Sequence, residues 1–268
     1  MWLFSKKRYS IIESGLLQGM TDCHCHILPG VDDGIQTMEE SLRALQKMSE
    51  LGVREIWLTP HIMEDIPNSP EDLRHRFASL NENVNENEKK VNVNVHLAAE
   101  HMLDNLFIQR FAADDLLSYQ DASPLSPLTS QRLRVGASAG IPSPLILVET
   151  SYFHPPMGLY DILENIQKKG YTPLLAHPER YMYMDDADYR RLQDMDIKLQ
   201  LNILSLTGAY GETAARKSHH LLHQGAYSCM GSDLHNLDSF LEQIDVKCLT
   251  KKEIILLQSL KEANLISE

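Results

Sequence analysis

The feature that most constrains this chain is an alternation of two kinds of segment. Short apolar runs at 20–23, 55–59, 93–98, 145–149, 172–176, 198–203 and 227–231 are separated by longer amphipathic stretches. The runs LILVE and TPLLA are almost continuously apolar, as in parallel strands buried on both faces. The stretches between carry helix ends. Thr37 and Glu40 have capping-box spacing, with Gly52 as a stop. Ser69–Pro70 reads as an N-cap and first helical position, Gly170 and Gly225 end helices, and Thr250 with Glu253 opens the last one. Seven such units predict an α/β fold closed into a barrel, with an open doubly wound sheet as the alternative. No G-x-G-x-x-G follows the first run, which weakens a dinucleotide-binding reading. The 268 residues are read as an N-terminal extension (1–19) and one barrel domain (20–268), with a long Ser/Pro/Ala/Gly-rich excursion at 113–144 that could hold a short helix and a hairpin.

Polar residues recur at the carboxyl ends of these runs. The first gives His24 and His26, with Asp32 and Asp33 in the loop beyond. The second gives His61, the third Glu100, the fourth Glu149, the fifth His177, and the seventh Asp233 and His235. The sixth offers Asn202 and Ser205. In an α/β barrel those ends converge on one face, where barrel active sites lie. A single histidine there is commonly a satisfied polar residue, but a carboxylate at the edge of an apolar core must be paired, coordinated or protonated. The set taken together points to a metal site. Mixed imidazole and carboxylate ligands suit Zn, Mn or Fe, and so many candidates call for two or three ions rather than one. Clustered divalent ions are the apparatus of phosphoester hydrolysis.

Charge and cysteines narrow the choice. A formal net charge of -12 disfavours nucleic acid as a partner. Four cysteines, Cys23, Cys25, Cys229 and Cys248, do not make a disulfide framework, and with no export signal a cytoplasmic location is expected. A cysteine phosphatase loop needs arginine six residues after the nucleophile; Pro29 and Val31 stand at those positions. Strand alternation would point Cys23 and Cys25 away from the two histidines, as small buried hydrophobes. An amidohydrolase would be expected to carry a bridging lysine where Glu149 stands. The extension carries Trp2, Leu3, Phe4, Lys6 and Lys7, enough for a weak peripheral membrane contact.

The segments DCHCHILPGVDDG, LTPH, AEHMLD, ILVET, AHPERY and GSDLH resemble the PHP (polymerase and histidinol phosphatase) superfamily, and within it the bacterial tyrosine phosphatases of capsule and exopolysaccharide clusters. The resemblance runs from about residue 20 to the C-terminus and covers 113–144 poorly. It implies a distorted (β/α)7 TIM-like barrel with metal ligands at His24, His26, Asp33, His61, Glu100, Glu149, His177, Asp233 and His235. It divides them as His24, His26 and Asp233; Glu149 and His177; and Asp33, His61 and His235, with Glu100 bridging. It implies two or three divalent ions, manganese first and iron or zinc as alternatives, and a metal-bridged hydroxide as the nucleophile. Arg180, in HPER, becomes the phosphate-binding catalytic cation, with a surface pair to Asp185 or Asp186 as the alternative. The implied substrate is phosphotyrosine on the tail of a tyrosine autokinase. A small-molecule phosphoesterase such as histidinol phosphate phosphatase is the competing function. His101 stands where the branch often has tyrosine, which predicts an altered pocket wall.

Overall fold

The computed structural model describes residues 7–86, 91–120, 143–263 and 265–266. Its strands, in chain order, are β1 (Thr21–Cys25), β2 (Glu55–Leu58), β3 (His61–Ile62), β4 (Asn94–Leu97), β5 (Glu100–Met102), β6 (Leu145–Glu149), β7 (Thr172–Leu175), β8 (Lys198–Asn202) and β9 (Cys229–Gly231). The helices, numbered here in chain order, are α1 (Met38–Glu50), α2 (Pro70–Glu86), α3 (Asn105–Ala112), α4 (Leu159–Lys168), α5 (Asp186–Asp194), α6 (Glu212–Gln224), α7 (Leu237–Ile244) and α8 (Lys251–Glu262). Several of the expected ends are realised. The Thr37 side chain caps α1 through the Glu40 amide, and Thr250 and Glu253 form a reciprocal capping box on α8. Gly225 closes α6 in the left-handed conformation. The excursion expected to hold a helix and a hairpin falls largely outside the described residues, as do Trp2 to Lys6 of the expected membrane contact.

All the strand ladders are parallel. They form one sheet in the order β1-β2-β4 and another in the order β3-β5-β6-β7-β8-β9. The second and third apolar runs form β2 and β4, and each is followed at once by a further short strand, β3 and β5. Thr59–Pro60 separates β2 from β3, because Pro60 has no N–H to donate to a ladder. Beyond β9, the chain returns to β1. Asp233 N–H donates to the His24 carbonyl at 2.7 Å, and His26 N–H to the Leu234 carbonyl at 2.9 Å. The result is a curled parallel sheet with helices packed on its outside.

The outer core joins helix residues such as Leu45, Leu73 and Leu163 to strand residues such as Ile56, Val148 and Leu175. It also takes in Ile11, Leu16 and Leu17, so residues of the N-terminal segment pack on the same core. A smaller cluster, including Cys23, Trp57, Leu147, Leu174 and Cys229, fills the inner face of the curl. Cys23 therefore does not point away from the histidines as alternation suggested. Three residue steps of β1, Asp22 to Cys25, run against two of β2, Ile56 to Leu58. The extra residue is a bulge that resets the alternation. It turns Cys23 into the inner face, 3.3 Å from Cys229 Sγ, and leaves Cys25 in the outer core. Gly231 makes room for this bulge, because a Cβ there would lie 2.5 Å from the His24 Cβ.

Candidate metal centre

The inner face ends in a buried polar layer. His24, His26, Glu100, Glu149, His177 and Asp233 are almost inaccessible, His61 is 8% exposed, and only Asp33 and His235 reach toward solvent. Alternation within the strands explains part of this. Glu149 follows Leu147 by two residues and shares its inner face, as Glu100 follows Ala98.

The side-chain donors fall into overlapping groups. His24 and His26 face Glu100, with the two Nε2 atoms 3.1 Å apart and Glu100 Oε2 at 3.2 and 3.4 Å from them. Asp233 Oδ1 lies 3.5 and 3.4 Å from the same nitrogens. In a second group, His61 Nδ1 is 3.1 Å from both Glu100 Oε2 and Glu149 Oε1. In a third, Asp33 Oδ1 is 3.4 Å from His61 Nε2 and from His235 Nε2, beside His26. His177 Nε2 lies 2.9 Å from Glu100 Oε1. Glu149 is thus grouped with His61 and Glu100, a different division from that implied by the resemblance.

These residues fit a cluster of cations, on three observations. First, His24 Nδ1 meets the Gln200 side-chain carbonyl at 3.1 Å and His26 Nδ1 meets the Asp32 carboxylate at 2.8 Å. Both partners are acceptors, so each Nδ1 carries the proton, and in neutral rings the two Nε2 lone pairs face each other. That arrangement is repulsive without a cation or a shared proton between them. Second, His61 Nδ1, Glu100 Oε2, Glu149 Oε1 and His177 Nδ1 are buried with no hydrogen bond of acceptable geometry. Third, ligands about 2.0–2.2 Å from a common ion stand roughly 3.0–3.5 Å from each other, which is the spacing seen here.

The electrostatics agree. Burial opposes ionisation of Glu100, yet His24 and His61 hold it well below the usual carboxylate range. Burial likewise penalises His24, and Glu100 and Asp233 carry it above its ordinary value. Glu149 is pushed up by burial and by Glu100. So much carboxylate charge in so small a volume calls for compensating positive charge.

Arg180 stands at the edge of the cluster. Its Nη1 donates to Asp233 Oδ2 at 2.6 Å, not to Asp185 or Asp186, and the guanidinium lies 4.4 Å from the Tyr152 ring centre and 4.0 Å from that of Tyr210. Asn202 Nδ2 and the Tyr210 hydroxyl also reach Asp233 Oδ2, at 2.8 and 3.4 Å. Asp233 thus gives one oxygen to the imidazoles and the other to a polar clamp.

Some residues that support the donor set lie outside the implied ligands. Asp32 Oδ2 accepts from His26 Nδ1 and from the His61 backbone N–H, and its Oδ1 accepts from Gly34 N–H. Of the two neighbouring acids, Asp33 faces the donor groups and Asp32 fixes the ring behind them. Gln200 does the same for His24 and also accepts the His177 backbone N–H. Its signal is the alternation of Gln200 and Asn202 on one face of β8. Tyr152 and Tyr210 have no comparable signal.

Cys23 offers no nucleophile. Burial and Cys229 push its thiol well above the ordinary range, which disfavours the thiolate.

His101 does not line the site. It follows the inward Glu100 and turns outward, fully buried, with Nε2 3.2 Å from the Leu117 carbonyl and its ring against Phe107. Burial lowers its pKa to about 4. The unfolded chain takes up this proton near pH 6.5, so His101 withdraws stability as pH falls from there toward 4. Replacing His101 with Phe is expected to reduce the loss of stability between pH 7 and pH 5 by about 2 kcal/mol, measured by urea unfolding at both pH values. An unchanged pH dependence would show that the ring is not held neutral.

The sequence matches the family described as capsular polysaccharide synthesis, CpsB/CapC, over residues 20–123 and 135–252. The chain belongs to the CpsB/CapC family. Tyrosine-protein phosphatase YwqE of Bacillus subtilis (strain 168) is 26% identical over 221 residues, covering 81% of this chain and 78% of the relative. Tyrosine-protein phosphatase CpsB of Streptococcus pneumoniae is 27% identical over 227 residues, covering 82% and 84%. Among solved structures, one from a study of YwqE from Bacillus subtilis and CpsB from Streptococcus pneumoniae, described there as unique metal-dependent tyrosine phosphatases, superposes with a TM-score of 0.68. It is 24% identical and covers 92% of this chain and 89% of its own, so it shows that this CpsB/CapC member shares that fold. No helix among the described residues is long and apolar enough to cross a membrane.

Proposed function

We propose that this chain is a metal-dependent protein-tyrosine phosphatase, with His24, His26, Asp33, His61, Glu100, Glu149, His177, Asp233 and His235 as its metal ligands. The observation that carries this reading is the convergence of five imidazoles and four carboxylates on the inner end of the curled sheet, with Arg180 at the edge. We read the sheet as a distorted seven-stranded (β/α) barrel spanning 20–268, preceded by an extension (1–19) of which Ile11, Leu16 and Leu17 pack on the barrel's outer core. Two or three ions, manganese first, suit the overlapping groups, because Glu100 is common to two of them. The named relatives are tyrosine-protein phosphatases, which supports a phosphotyrosine protein of capsule synthesis as the substrate; our reading of that protein is the tail of a cytoplasmic tyrosine autokinase.

Bound divalent ions would lower the pKa of water and neutralise charge on phosphoryl oxygens. The chain's own residues supply the rest. Arg180 presents a planar fork of N–H donors to the phosphoryl oxygens. Tyr152 and Tyr210 fix the plane of that fork between their rings. Asp32 and Gln200 keep protons on His26 Nδ1 and His24 Nδ1, which leaves both Nε2 atoms free as ligands. Tyrosine leaves as a phenolate of pKa about 10, so its departure demands less proton donation than that of an alkyl alcohol.

The test is hydrolysis of a phosphotyrosine peptide, a phosphoserine peptide and histidinol phosphate by protein reconstituted with Mn²⁺, alongside elemental analysis. Preference for the phosphotyrosine peptide, lost on chelation and regained on adding metal, is expected. Preference for histidinol phosphate would transfer the site to small-molecule chemistry. Inactivity on all three with metal bound would end the enzyme reading.

A further inference from the structure

Seven large apolar side chains are exposed among the described residues, and three of them, Phe153, Met157 and Met182, sit on the two loops that follow β6 and β7. These are the loops that carry Tyr152 and Arg180. Phe153 is 68% exposed, Met157 98% and Met182 57%. The loops are tied together where they meet the site, with Met182 N–H donating to the Tyr152 carbonyl at 2.7 Å. Tyr152 in turn lies against Arg180, and its ring centre is 5.9 Å from that of His177. Pro155 and Pro156 stiffen the first loop between Phe153 and Met157. Isolated exposed apolar residues are ordinary, but a concentration at the mouth of a polar site marks an interaction surface.

We propose that Phe153, Met157 and Met182 form a rim that docks the peptide around the phosphotyrosine, and that the occupant is an extended segment with apolar residues beside the modified tyrosine. The proposal rests on the phosphatase reading and adds where, and by what chemistry, the protein substrate is held. Continuity with the site argues for this occupant. Tyr152 packs on the Arg180 guanidinium, so a peptide whose phosphate meets Arg180 lies beside the two loops that carry these residues. Charge argues the same way. A chain of net charge -12 repels acidic neighbours of the phosphotyrosine at long range, and the rim offers apolar contact instead. Methionine side chains adapt to varied partners, which suits a flexible substrate.

The experiment compares wild type with the triple variant Phe153→Ser, Met157→Ser, Met182→Ser. It reads kcat/KM for a phosphotyrosine peptide with leucine on both sides against kcat/KM for free phosphotyrosine. The exposed positions leave folding intact, which circular dichroism checks. The ratio of the two values is expected to fall roughly tenfold or more, through KM of the peptide. A ratio unchanged within about twofold would overturn the rim. If wild type turns over neither substrate, the phosphatase reading has failed on its own. Titration of the same peptide then decides the rim: weaker binding to the variant supports it, and equal binding removes it.

Discussion

Replacing Glu100 with glutamine is expected to remove metal from this protein and to lower phosphotyrosine hydrolysis by about three orders of magnitude or more. The side chain has a central position. Its Oε2 lies within 3.1 to 3.4 Å of nitrogens from His24, His26 and His61, and its Oε1 lies 2.9 Å from His177 Nε2. It belongs to two of the three donor groups, so a single substitution should empty more than one ion position. Glutamine keeps the volume and one carbonyl oxygen, but it removes the charge. Its amide also offers protons where a cation needs lone pairs. The remaining carboxylates, Asp33, Glu149 and Asp233, would then serve separate donor groups with no carboxylate common to two of them. Elemental analysis and thermal unfolding of the same sample check this. A variant that stays folded and has lost metal is the expected outcome. Full metal content with full activity would show that Glu100 is a buried structural carboxylate.

Much of this centre was legible because strand ends are legible. His24, His26, His61, Glu100, Glu149, His177, Asp233 and His235 sit where apolar runs stop, and parallel topology turns that position in sequence into proximity in space. Helix ends were legible for a similar reason. Thr37, Thr250 and Gly225 act within a few residues of themselves. What depends on through-space fit was not. The β1 bulge fits against β9 only because residue 231 is a glycine, and neither segment reveals this alone. The bulge reversed the expected direction of Cys23. Arg180 pairs with Asp233, 53 residues away, whereas the alternative to its phosphate-binding reading named the nearby Asp185 and Asp186 as partners. His101 could have been placed correctly, because alternation from Glu100 already turns it outward.

Replacing Arg180 is expected to separate catalysis from metal binding, in contrast to Glu100. Arg180 touches Asp233 through its outer oxygen, whereas the imidazoles face the inner one. Asn202 also holds that outer oxygen, so Asp233 keeps its orientation when the arginine is gone. An Arg180→Met chain should therefore retain metal while kcat/KM for phosphotyrosine peptide falls by about 10²–10³, the usual cost of losing one strong donor to a developing oxyanion. Lysine is the sharper probe. It restores the charge but has no planar fork to lie between the rings of Tyr152 and Tyr210. Arg180→Lys should recover only a small part of the loss, and inhibition by inorganic phosphate should weaken in both variants. An arginine serving only to neutralise Asp233 predicts another pattern. Lysine would then restore activity, phosphate inhibition would be unaltered, and the methionine variant would show its deficit in thermal stability rather than in turnover. Phosphate inhibition measured on metal-replete protein separates the two, because it reads the contact between Arg180 and the phosphoryl group without passing through the chemical step.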